Sequence, residues 1–165
     1  MKILLTVNRM GSLVGASLYT YELARELSKK HCITILSNWE ITGRDGEKYH
    51  EGLNKIKKIS CMQGNYDVVI ASEFCPNIKC PKINIVHSEY DCETPLPNCN
   101  AYVTIRPSIK KHIIDEHNIS PKKIHIIYNG VDRKRFKSIK KPIHNYKLTV
   151  VPCTRDFLRE KFLNL

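Results

Sequence analysis

The feature that most constrains this chain is a series of short, nearly unbroken apolar runs. They fall at residues 2–7, 32–36, 67–71, 83–86, 101–105, 124–128 and 148–151. A strand with one wet face alternates apolar and polar residues. A strand covered on both faces has no polar side to show, and its sequence reads as a continuous block. Most of these runs are blocks, such as Ile3-Leu4-Leu5 and Val68-Val69-Ile70. They predict parallel strands with helices packed on both faces.

Helical spacing falls between several runs, as such a sheet requires. In residues 16–30, Ala16, Tyr19, Leu23 and Leu27 recur at three or four, with Glu22, Arg25 and Glu26 opposite. Ser28-Lys29-Lys30 suits the negative end of the helix dipole. Residues 107–117 open on Pro107, carry Ile109, Ile113 and Ile114 on one edge, and meet a stop at Asn118. A weaker helix is predicted over 47–59 from Leu53, Ile56 and Ile59, with Gly52 opposing it. Alternating strand and helix predicts an α/β, Rossmann-like, doubly wound and mainly parallel sheet with right-handed crossovers. Residues 64–100, with Pro76, Pro81, Pro95 and Pro97, read as strands separated by working loops.

Composition narrows the class. The chain has 165 residues, enough for one domain or one domain with part of another, and 42% are apolar, enough for a core. No apolar run approaches the roughly 20 residues of a membrane span. Residues 1–7, followed by Asn8 and Arg9, read as a strand and not an export signal. The seven cysteines are an odd number, and reduced thiols in a cytoplasmic protein are expected. Cys75-x4-Cys80 and Cys92-x6-Cys99 lack the usual spacing of zinc ligands, so no metal is expected. Net charge is +11, and lysines come in pairs at 29–30, 57–58, 110–111, 122–123 and 140–141. Such a charge favours polyanionic partners, although the pairs are scattered and form no single basic helix or arm. Without an aromatic stacking ladder or a recognition-helix signature, nucleic acid is disfavoured.

Three places carry residues suited to chemistry. After the first strand, Gly11 and Gly15 precede a helix start, where a doubly wound sheet binds ligands. His87 follows the run ending in Val86, with Ser88 and Glu89 beside it. Histidine is the side chain best matched to proton transfer near neutral pH. In Lys123–Phe136, apolar Ile124–Tyr128 stops at Asn129-Gly130-Val131-Asp132, but no returning strand follows as a hairpin would need.

Taken in order, these pieces resemble the N-terminal half of a GT-B glycosyltransferase of the retaining family-four (group one) type. The segment VGASLYTYELARELSKKHCITIL is similar to the family's glycine loop, first helix and second strand. INIVHSEYD is similar to the strand ending in its active-site histidine. CNAYVTIRPSIKKHIIDEHNISPKKIHIIYNGVDRKRF is similar to its last strand–helix–strand before the domain crossing. Arg155 and Lys161 match by spacing the pair that holds the donor diphosphate. Departures are Val14 for a loop glycine, Ser17 for a glutamate, Ser72 and Glu73 near a strand histidine, Arg106 for a serine and Phe162 for a glycine.

The resemblance implies residues 1–140 as the acceptor-side domain and 141–165 as linker and first strand–loop–helix of a donor domain otherwise absent. It implies His87 as the catalytic contact, Gly15, Arg155 and Lys161 on the donor, and Asn8, Ser88, Glu89 and Arg106 on the acceptor side. Asn129, Gly130 and Asp132 would form the domain junction. The substrates would be a nucleotide-diphosphate sugar and a glycan, lipid-linked or small-molecule acceptor, with no cofactor and no metal. The fragment would be weak or inactive alone, needing its second domain in cis or trans, and would reside in the cytoplasm, with peripheral contact to an anionic membrane. Two alternatives stand beside this reading: a basic module binding nucleic acid or an anionic membrane, and half of a sugar-nucleotide epimerase.

Overall fold

The structure, a computed structural model, describes residues 1–9, 15–39, 56–89 and 94–130. The chain divides into two units, Met1–Asn129 and Gly130–Leu165, and the architecture below belongs to the first. Its seven strands are β1 (Lys2–Arg9), β2 (Cys32–Trp39), β3 (Lys57–Ile59), β4 (Val68–Ala71), β5 (Lys82–Val86), β6 (Ala101–Thr104) and β7 (Ile124–Ile126). The helices among the described residues are α1 (Gly15–Leu27) and α2 (Pro107–His117), with a 3-10 turn at Pro121–Lys123. All six pairings are parallel, in the order β3-β2-β1-β4-β5-β6-β7. The fold is α/β and Rossmann-like, as the apolar blocks predict. Winding runs outward from β1 to β3, then restarts at β4 on the other side of β1. Between β1 and β4 lies the switch point where such sheets open a crevice at their carboxyl edge.

Both faces of the sheet are covered, which is why β1 has no polar side. Ile3, Leu5 and Val7 pack on one face with Tyr21 and Ala24 of α1. Leu4 joins Leu36, Val69 and Ala71 on the other, beneath Phe74, Cys75, Ile78 and Leu96. Farther along, Val86, Tyr102 and Ile124 pack against Ile109 and Ile113 of α2, with Leu96 bridging both clusters. Burying one such side chain stabilises the fold by about 1.5–3 kcal/mol.

α2 follows its sequence signals: Pro107 occupies the first turn, and Asn118 ends it in the left-handed region at φ 52°. α1 departs from expectation. Its buried residues are Ser17, Thr20, Tyr21 and Ala24, whereas Leu23 and Leu27 only flank the core. Small Ser17, Thr20 and Ala24 let the helix lie close over β1 and β2, and Tyr21 is its one large buried side chain.

Three further expectations are corrected. The predicted helix over 47–59 fails at its end, because Lys57–Ile59 pair with Thr34, Ile35 and Leu36 as edge strand β3. Residues 47–55 lie outside the described residues. A three-residue strand beginning with two lysines has too little pattern to announce itself. β1 and β2 each run beyond their predicted ends at residues 7 and 36. The strand predicted over 124–128 ends at Ile126. The Ile127 N–H still donates to the Thr104 carbonyl at 2.8 Å, but Ile127 and Tyr128 are exposed. The predicted strand at 148–151 lies outside the described residues.

One buried polar residue organises the middle of the sheet. Asn84, 1% exposed, donates from Nδ2 to the Ala71 carbonyl at 3.0 Å and to the Ile85 carbonyl at 3.3 Å. Its Oδ1 accepts from the Leu96 N–H at 3.0 Å. A buried amide is tolerated only when its donors and acceptors are met. Here it fixes residues 94–99 over β4 and β5, and the Tyr102 hydroxyl adds a bond to the Leu96 carbonyl at 2.9 Å.

Candidate active site

A parallel sheet delivers every strand end to one edge. Asn8 near the end of β1, Gly15 at the start of α1, His87-Ser88-Glu89 after β5 and Arg106 after β6 all reach this carboxyl edge. Asn129 and Gly130, after β7, are exposed. Arg155, Lys161 and Asp132 lie outside the described residues.

Asn8 is a hub. Its main-chain N–H donates to the Glu73 carboxylate, and its carbonyl accepts from the Ser37 hydroxyl at 3.3 Å. Its side-chain Oδ1 accepts from Asn38 Nδ2 at 2.9 Å. β1, β2 and the loop after β4 are thereby joined at the switch point. Below it, the Thr6 hydroxyl, wholly buried, donates to the Phe74 carbonyl.

His87 meets α1 at Tyr19, near the helix start. Its ring lies 4.7 Å from that of Tyr19, centroid to centroid, at an interplanar angle of 73°. This edge-to-face pairing is worth about 0.5–1.5 kcal/mol beyond burial. Burial raises the Tyr19 phenol above its ordinary pKa, so the ring is neutral beside the histidine. The buried Thr20 places its hydroxyl 3.4 Å from that of Ser72, after β4. Next to His87, the Ser88 Oγ is buried and has no hydrogen-bond partner among the described residues. A buried hydroxyl in that condition is ready to accept or donate to a bound oxygen.

Glu89 and Arg106 form an exposed ion pair. A side-chain hydrogen bond from Ser108, ahead of the Arg106 contact, holds the Glu89 carboxyl below the usual glutamate range. Arg106 occupies the N-cap position of α2 in extended backbone without capping it. Its side chain turns to Glu89 instead, so two residues expected on the acceptor side engage each other. A Cβ on Gly15 would meet nothing within 4 Å. Among the described residues, local packing therefore does not demand glycine there.

Sequence reasoning gave no site role to Tyr19, Thr20 or Ser108, and noted Ser72 only as a departure near a strand histidine. Tyr19 fits the apolar spacing of α1 and reads there as core. The available signal was polar: Ser17 and Thr20 lie in the turns nearest the carboxyl edge, on the face that proves to be buried. Among the described residues, no group of three or more His, Cys, Asp or Glu is placed to hold a metal ion. None of the helices described is long and apolar enough to cross a membrane.

No protein-family model matches the chain, and no curated protein matches it in sequence. Solved structures do. Anabaena Alr3699/HepE in complex with UDP-glucose superposes with a TM-score of 0.61 at 13% identity, over 85% of this chain and 47% of that one. A glycosyltransferase from Rickettsia africae superposes with a TM-score of 0.60 at 18% identity, over 82% and 45%. The HepE complex with UDP and glucose gives 0.59 at 13%, over 85% and 47%. This chain thus spans less than half the length of those proteins and shares with that part of them a Rossmann-like α/β fold.

Proposed function

We propose that the chain is the acceptor-side half of a retaining GT-B glycosyltransferase that moves a sugar from a nucleotide-sugar to a glycan, lipid-linked or small-molecule acceptor. The observation that carries this reading is the placement of His87 at the carboxyl edge, packed against the first helix beside a buried Ser88 hydroxyl that has no partner among the described residues. The Rickettsia structure is a glycosyltransferase, and the HepE structure holds UDP-glucose across a chain about twice as long. His87 would contact the transferred sugar, with Tyr19 fixing its ring. Ser88 would hydrogen-bond the sugar or the incoming hydroxyl. Glu89 and Arg106 would open from each other to meet the acceptor. Asn8 would hold the floor of the cleft, and Gly15 would admit the donor to the positive end of α1.

The charge of the described residues favours a diphosphate site elsewhere. Among the described side chains, this edge carries Glu73, Glu89 and the paired Arg106, and has no free cation to offset two leaving phosphates. Arg155 and Lys161 would supply that charge, with the remaining donor contacts coming from a second domain in cis or trans. The protein would work in the cytoplasm without metal or cofactor.

Calorimetry of the 165-residue chain with UDP-glucose and other nucleotide-sugars tests this division of labour. Weak binding is expected, and tight, specific binding would refute the acceptor-half reading. In an enzyme completed by its second domain, His87→Ala should sharply reduce turnover with folding intact. Unchanged turnover would remove His87 from the site.

A further inference from the structure

Three of the lysine pairs that are scattered in sequence, at 29–30, 57–58 and 122–123, come to one edge of the fold. Parallel strands all start at the same edge, and Lys2, Lys57 and Lys82 open β1, β3 and β5. Lys29-Lys30 lie just before β2, and Lys122-Lys123 just before β7. All but half-buried Lys82 are exposed. Seven strands about 4.8 Å apart make this edge about 29 Å wide, with lysine at the start of five of them. The acids there are fewer. Asp67 is engaged by the Lys2 N–H, Glu26 is paired with Lys29, and Asp115 and Glu116 lie in the last turn of α2. Among the described residues, the carboxyl edge, about 26 Å away along the eight residues of β1, shows no such excess.

We infer that this amino edge docks on an anionic lipid bilayer, leaving the carboxyl edge facing water. Lysines are point charges on flexible stems that suit a fluid layer of phosphate head groups. Recognition of a nucleic-acid strand instead favours arginine forks and exposed rings for stacking. The edge offers neither: Arg25 is paired with Glu22, and Tyr66 is half-buried with its hydroxyl on the Gln63 carbonyl. It does offer Met1, 64% exposed beside Lys2 above a shallow hollow reaching Cys32 and Tyr66. An apolar tip among cations suits the bilayer interface. This inference does not depend on the glycosyltransferase reading.

The test is cosedimentation of the 165-residue chain with phosphatidylcholine vesicles, with and without phosphatidylglycerol. Binding is expected only to the anionic vesicles and is expected to weaken steeply with salt. The double variant Lys30→Gln, Lys122→Gln should lose about twenty-five-fold in partitioning, at about five-fold per lysine. Lys111→Glu on α2 makes the same change in net charge away from this edge and should lose far less. Circular dichroism of each variant separates loss of binding from loss of fold. Equal losses in the two variants, or no preference for anionic vesicles, would overturn the inference. So would edge-dependent binding of single-stranded RNA by a chain that ignores vesicles.

Discussion

Replacing Asn84 with leucine removes the polar clamp at the centre of the sheet while keeping a side chain of similar reach. The bonds to the Ala71 carbonyl and from the Leu96 N–H, both 3.0 Å, are lost. Each such bond is worth about 1 kcal/mol net, and stranding the Leu96 N–H adds about 1–2 kcal/mol. The apolar gain of a buried leucine offsets about 1 kcal/mol, because the 1%-exposed site offers little room to repack. The expected loss is about 2–3 kcal/mol, measurable by urea unfolding with unchanged m-value. Hydrogen exchange gives a local readout: the Leu96 amide should lose protection before the β1 amides do. The effect should reach the site, because Asn84 lies on β5 three residues before His87, which follows the strand's end, and the Tyr19–His87 contact should loosen. A loss below about 1 kcal/mol with the Leu96 amide still protected would refute the reasoning, since it would mean that water or main chain replaces the clamp at no cost.

Other consequences are open to direct measurement. Tyr19→Phe should preserve the edge-to-face contact and the ring-current shift on the His87 protons, while Tyr19→Ala abolishes the shift and costs about 1 kcal/mol in pair energy plus lost burial; identical His87 spectra in both variants would exclude the contact. In an NMR carboxyl titration, Ser108→Ala should raise the Glu89 pKa more than Arg106→Lys does, because the serine bond is the larger cause of its depression. The small stabilisation from Glu89 should be present above the ordinary glutamate range and lost as pH falls through the depressed value. The buried Cys99 thiol, pushed up to about 11 by burial and then by nearby Cys75, should react with thiol reagents well after exposed Cys32 and Cys61. Cys99 should also cost stability as pH rises from the ordinary thiol range toward 11, since only the unfolded chain ionises freely there.

The sequence by itself determined the strands of the sheet interior, their parallel arrangement and the limits of α2. Those features rest on local signals: unbroken apolar blocks that need cover on both faces, Pro107 at a helix start and Asn118 at its end. It also marked His87, because a histidine after a buried strand is legible without neighbours. The tertiary structure decided what meets what. Strand β3 exists because β2 offers an unpaired edge, which three residues beginning with two lysines cannot announce. Tyr19 reaches His87, and Glu89 reaches Arg106, only once the order β1-β4-β5-β6 brings separate loops to one edge. Three of the lysine pairs, at 29–30, 57–58 and 122–123, meet at one edge for the same reason. Parallel winding returns every strand to the same start, so residues far apart in sequence share a surface that no local pattern describes.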